Sequence, residues 1–286
     1  MIAVVCALLA AASNAAASVL QRRAARDEPR HRALSPVLIW DLIHRPAWLA
    51  GVGALIAGFV FQAVALSAGQ LALVQPLLVT ELPFTMILIA LASRSGLDAR
   101  AWLATGLLTA GLATFLATAA PRGKGAVVTP AAQVPAAIVT VAVVAALVVA
   151  ARLLAAAPRA AVLGAAAGIG FAFTATFIKQ TTSLFQRDAS ALVTSWQPYA
   201  MVATGLCSFV LLQNALQSGT LLAAQPALTI SDPVASVLYG ITIFGEEIRT
   251  GGWIALEAAG VGLILYGSIL LAQGLAKRER DGHTGP

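Results

Sequence analysis

The chain has 286 residues, of which 59% are hydrophobic and 10% charged, with a formal net charge of +6 and a mean hydropathy of +0.86. Soluble globular domains carry about 25% charged residues, so this balance excludes an ordinary soluble fold. It describes a polytopic membrane protein. Nucleic-acid binding, the other reading of a basic chain, is set aside because the cations border apolar runs and do not gather on one domain face.

A spanning helix needs about 20 mostly apolar residues. By that measure the sequence predicts nine helices, over about 1–21, 47–67, 70–93, 101–120, 134–156, 160–180, 191–213, 219–244 and 252–274. The first run has A-x-A triplets like those of a leader peptide. No Lys or Arg precedes its core, so it is read as a first spanning helix. Cys6 and Cys207 both fall inside predicted spans, which argues against a disulfide framework. The stretch "PVLIWDLIHRPAW" after the first helix is expected to lie along the interface, with Trp40 and Trp48 at headgroup level. The end, "KRERDGHTGP", is charged and is expected to be a disordered tail.

With the N-terminus outside, the inward segments hold Arg22, Arg23, Arg26, Arg30, Arg32, Arg45, Arg94, Arg100, Arg152, Arg159, Lys277, Arg278 and Arg280. The outward segments hold only Arg122, Lys124, Lys179, Arg187 and Arg249. This asymmetry predicts a cytoplasmic C-terminus in a plasma-membrane protein. The Arg22–Arg32 cluster is expected to meet anionic lipid.

Sliding the chain by 150 residues brings Phe59-Val60 onto Phe209-Val210, Ala65-Leu66 onto Ala215-Leu216, Gly69 onto Gly219, Gln75-Pro76 onto Gln225-Pro226 and Pro83 onto Pro233. One residue more aligns Trp102 with Trp253 and Gly111 with Gly262. Helices one to four thus correspond to helices six to nine. Equivalent helices are five spans apart, so the second repeat must cross the membrane in the opposite sense, as in many secondary transporters. The predicted fold is all-α, two inverted four-helix repeats joined by a linking helix. The boundaries are 1–121 for the first repeat, 122–159 for the linker and helix five, 160–276 for the second repeat and 277–286 for the tail.

The repeated motif carries the candidate site. Pro76, Pro83, Pro226 and Pro233 lack a backbone donor and are expected to break their helices toward a protein-lined cavity. Glu81 and Asp232 lie about halfway along helices three and eight. An acid at a span centre costs about 2.5 to 3.5 kcal/mol, so neither should face lipid. Glu81, Asp232, Gln75, Gln225, Thr80 and Ser231 are therefore the candidate substrate or ion ligands, with Glu81 and Asp232 as candidate metal ligands. Proline kinks for packing and structural hydrogen bonds for the acids are the competing explanations. The other intramembrane polar groups, Thr174 and Thr176 among them, are read as helix-helix hydrogen bonds and Lys179 as a snorkelling residue. Gly106 with Gly111 and Gly260 with Gly262 are read as close helix packing.

The segment "FGEEIRTGGWIALEAAGVGLILYG", Phe244 to Gly267, resembles the end of the repeat in the drug/metabolite transporter superfamily. The first half is most similar to the NIPA-type magnesium transporter branch of it, through "LIHRPAWLAGV", Gly58, "LALVQPL" and Pro121. The resemblance implies a nine-helix transporter with its N-terminus outside. The chain departs from that branch at Glu81, where a small residue is usual, in "SRSGLD" after helix three, and at Phe59, where the branch has Glu.

The expected activity is movement of a small solute or cation by alternating access, with Mg²⁺ transport as one alternative and a non-transporting scaffold as another. No cofactor is expected beyond Mg²⁺ or H⁺ as transported or coupling ion. The partners are the lipid bilayer and the substrate, with no nucleic acid, and oligomeric state stays open. An enzyme is not expected, because His31, His44 and His283 all lie outside the spans and no H-E-x-x-H occurs. For an organic solute, Phe171, Phe173, Trp196 and Tyr199 are the expected pocket aromatics.

Overall fold

A computed structural model describes residues 1–26, 46–93, 99–119, 128, 130–218, 221–247 and 253–281. These residues form helices α1 (Ile2–Arg26), α2 (Pro46–Ala68), α3 (Leu71–Leu78), α4 (Glu81–Ser93), α5 (Ala99–Ala119), α6 (Pro130–Arg152), α7 (Ala156–Arg187), α8 (Ala191–Thr194), α9 (Gln197–Ser218), α10 (Leu221–Phe244) and α11 (Trp253–Asp281). Eight segments among the described residues are long and apolar enough to cross a membrane, and Ala255–Leu271 is a shorter apolar helix in the expected ninth place. The chain is a polytopic membrane protein whose described residues are almost entirely helical. The bilayer dictates this architecture, because every backbone N–H and C=O in hydrocarbon must find its partner within the segment. The expected interfacial stretch around Trp40, the loop near Pro121 and the last residues of the tail lie outside the described residues.

Several boundaries differ from the hydropathy reading, each for a local reason. The helix expected over 160–180 runs from Ala156 to Arg187. In its polar extension the hydroxyls of Thr182 and Ser183 are satisfied by the carbonyls of Ile178 and Lys179 at 2.8 and 2.9 Å. At about 1.5 Å per residue α7 is roughly 48 Å long against a hydrocarbon core of about 30 Å, so it projects. The helix expected over 191–213 is instead the short turn α8 followed by α9. Ser195 between them is extended at φ −90° and ψ 149°, and Pro198 sits in the first turn of α9, where a missing N–H costs nothing. The expected tail is helical through Lys277–Asp281.

Packing partners recur across the two halves: α1 lies against α2 as α7 lies against α9, and α1 touches α4 as α7 touches α10. The remaining major contact is α5 against α11. It closes where the Cα of Gly111 meets the carbonyl of Gly260; a Cβ on Gly111 would sit 2.7 Å from that oxygen. Gly106 and Gly262 face open space, so the crossing uses one glycine from each expected pair. Helix α6 packs on α7 and α10 but presents Val139 and Val141 outward at 61% and 66% exposure, as a lipid-facing helix should. The buried centre joins both halves through Leu66, Leu71, Met86, Leu108, Phe177 and Ile243.

Candidate functional site

The third spanning segment is broken and its repeat equivalent is not. After Pro76, Val79 and Thr80 donate to the carbonyls of Pro76 and Leu77, both at 3.1 Å, a tight turn that ends α3. The Thr80 hydroxyl adds a 2.6 Å bond to Leu77 O. Helix α4 then restarts at Glu81, with Pro83 in its first turn. The carbonyl that Pro83 leaves without a ladder donor, Val79 O, accepts from Leu82 N at 3.1 Å. Pro226 and Pro233, expected to break helix eight, both lie inside the continuous α10.

Glycines distinguish the surroundings of the two segments. Gly164 and Gly168, one turn apart on α7, lie on the backbone of α10. A Cβ on Gly164 would stand 2.5 Å from Ala224 O, and one on Gly168 would stand 2.9 Å from Leu228 O and 3.1 Å from Asp232 N. The two helices therefore run flush over two turns of α10. At the corresponding positions, 150 residues earlier, α1 carries Asn14 and Ser18. Their side chains hydrogen-bond to the Glu81 carboxylate. Gly58 of α2 makes room for the Asn14 amide oxygen, which would overlap a Cβ there.

The two acids thus have separate surroundings. Glu81 is half-buried between α1 and α4, bonded to Asn14 and Ser18. Asp232 is half-buried beside α7 and accepts from Ser236 Oγ on its own helix at 3.2 Å. Ser231 Oγ donates to Leu228 O at 3.3 Å and overlaps the space a Cβ on Gly168 would need. Gln75 is buried in α3, and Gln225 is half-buried in α10. Among the described residues no group of three or more His, Cys, Asp or Glu side chains is placed to hold a metal ion.

The strongest polar cluster is one that hydropathy reading missed. Glu246 lies just beyond α10 with a fully buried side chain, and Lys179 Nζ of α7 donates to its Oε1 at 2.7 Å. The same carboxylate accepts the first two amides of α3, Leu71 N at 2.7 Å and Ala72 N at 2.9 Å. It therefore caps a helix of the first half from the second, where the helix dipole favours an anion. Two glycines make the reach feasible. Gly245 turns the chain with φ 59°, the left-handed region, and Gly240 leaves the space that the carboxylate fills. Glu246 N then bonds Gly240 O at 2.8 Å. The Lys179 ammonium also lies 4.5 Å from the centre of the Phe244 ring. Lys179 is thus an ion-pair partner and not the expected snorkelling residue, because a buried carboxylate nearby offers more than the distant interface. The signal was the Gly-Glu pair closing α10, whose carboxylate has no partner visible in sequence.

Two cavities flank α6. One, of about 640 Å³, is apolar and lies between α6 and α10; the Thr140 and Tyr239 hydroxyls share a 2.7 Å hydrogen bond on its wall. The other, of about 680 Å³, lies among α6, α7 and α9 and is bounded by Lys179, Gln180, Arg187, Phe177 and Trp196. Of the expected pocket aromatics, Phe173 and Trp196 line it. Tyr199 is exposed, with its hydroxyl on Val193 O at 2.9 Å. Glu81 and Asp232 line neither cavity. As expected, Thr174 crosses to another helix, bonding Thr204 of α9 at 3.1 Å.

The chain is similar to an uncharacterized protein of Corynebacterium glutamicum, 27% identical over 266 residues that cover 93% of this chain and 92% of that one. No family model matches the chain, and no solved structure matches it.

Proposed function

We propose that this protein is a secondary transporter of the drug/metabolite transporter kind, moving a small solute by alternating access across the plasma membrane with its N-terminus outside. The observation that carries the reading is the interrupted third span. A helix break at Val79–Thr80 and a carboxylate at Glu81 sit inside a run otherwise apolar enough to span the bilayer. A carboxylate at that depth is costly in lipid, and transporter folds retain such groups, with the proline-interrupted helices that carry them, where substrate or a coupling ion binds. The 150-residue repeat and the distribution of basic residues support the same reading.

Glu81, held by Asn14 and Ser18, is the group to exchange a proton or cation as the two halves rock. The test is flux into proteoliposomes, measured with a panel of organic acids, amines, neutral metabolites and Mg²⁺ as imposed pH gradients are varied. Glu81→Gln keeps the size and hydrogen bonding of the side chain, so the protein should insert while flux or its pH dependence is lost. Parental flux and pH dependence in that variant would assign Glu81 a structural role. No flux of any solute would favour a scaffold, and flux of Mg²⁺ alone would favour the magnesium branch.

A further inference from the structure

We propose that the cavity among α6, α7 and α9 binds a compact organic carboxylate with a planar apolar body and a hydrogen-bond donor. This names the substrate class for the transporter reading and rests on it.

The charge of the wall is one-sided. Among the described residues Lys179 and Arg187 line the cavity and no Asp or Glu does. Glu246, which pairs with Lys179, is fully buried behind it and is already met by that ammonium and by two amides of α3. An ammonium has three hydrogens, so Lys179 keeps donor capacity after this bond, on a side chain nine-tenths buried. Asp188, next in sequence to Arg187, is engaged by Ser190 through both its amide at 2.9 Å and its hydroxyl at 2.6 Å. Those bonds hold its carboxyl below the usual range and turn it to its own loop.

Two amides in the wall are incomplete. Gln133 Nε2 donates to Gln180 Oε1 at 3.1 Å, which orients the Gln180 amide and leaves its buried Nε2 without a partner. On the facing helix α9, Gln197 Oε1 is a buried acceptor without a partner. A carboxylate completes the first, and a hydroxyl or N–H on the same molecule completes the second. The rest of the wall is aromatic. Phe173 and Phe177 meet edge-to-face at 4.9 Å, and Phe177 and Trp196 do so at 5.6 Å, a surface suited to a flat apolar body. The volume of about 680 Å³ is in the range of small-molecule sites.

The probes are three molecules of one shape: 4-hydroxyphenylacetate, the neutral 4-hydroxyphenylethanol and the cationic tyramine. Each is titrated by calorimetry into the whole protein in lipid nanodiscs. The acetate should bind about tenfold more tightly than the alcohol, with tyramine weakest. Arg187→Gln and Gln180→Leu should each weaken the acetate by about tenfold while melting temperature holds, and Arg187→Gln should leave the alcohol unchanged. Tyramine binding as tight as the acetate, absence of binding by all three, or parental affinity in both variants would overturn the proposal. Binding of the acetate, with no flux of it or of any solute of the panel in proteoliposomes, would keep the site and refute the transporter reading. Acetate flux that survives both substitutions would do the reverse.

Discussion

Glu246, paired with Lys179 of its own half, caps α3 of the other half, and substitutions of the two partners should be unequal. In Glu246→Gln the neutral amide cannot balance Lys179, whose side chain is only 10% exposed, so a buried cation is left alone. Breaking a buried pair from one side costs about 3–5 kcal/mol. In Lys179→Met the carboxylate loses one donor but keeps Leu71 N and Ala72 N at 2.7 and 2.9 Å, and the α3 dipole with them. That helix terminus can retain up to about 2 kcal/mol of the stabilisation. Lys179→Met should therefore cost roughly 1–3 kcal/mol. The double variant leaves no unpaired charge and should be more stable than the sum of the single losses by about 2 kcal/mol or more. The assay is the apparent melting temperature of detergent-solubilised protein, followed by the monodisperse fraction after heating. At about 2–4 °C per kcal/mol for a chain approaching this size, Glu246→Gln should fall by roughly 10 °C. Equal losses in the two single variants, or a double variant equal to their sum, would show that the two charges are not coupled as a buried pair.

Gly168→Leu should destabilise the protein by about 1–3 kcal/mol, because its Cβ meets the α10 backbone at Leu228 O and Asp232 N. Gly262→Ala, with no atom within 4 Å of its Cβ, should be neutral in the same melting assay. Gly245→Ala should cost about 1–2 kcal/mol, since φ 59° crowds any Cβ, and a melting temperature equal to the parent would contradict that turn. Tyr239→Phe removes the hydroxyl bonded to Thr140 at 2.7 Å and should lower stability by about 1 kcal/mol, with Thr140→Val in the same background adding little.

The nine apolar runs, their order and the 150-residue correspondence were legible in the sequence because the bilayer acts on each helix separately. A segment of about 20 residues must be apolar whatever its neighbours are. The interruption of the third span was expected from Pro76 and Pro83, whereas Thr80, read as a candidate ligand, closes the turn on Leu77 O. The continuity of α10 was not legible. It carries prolines at the matching positions, and the difference lies on another helix, where Gly164 and Gly168 replace Asn14 and Ser18. Nor could the sequence pair Lys179 with Glu246, 67 residues away, or Glu246 with the amide of Leu71, 175 residues away. Lipid rewards an apolar face equally against any other, so hydropathy says where a helix runs and nothing about which helix lies beside it. Close backbone approach at glycines and the need to satisfy each buried polar atom settle that choice, and both become visible only once the helices are packed.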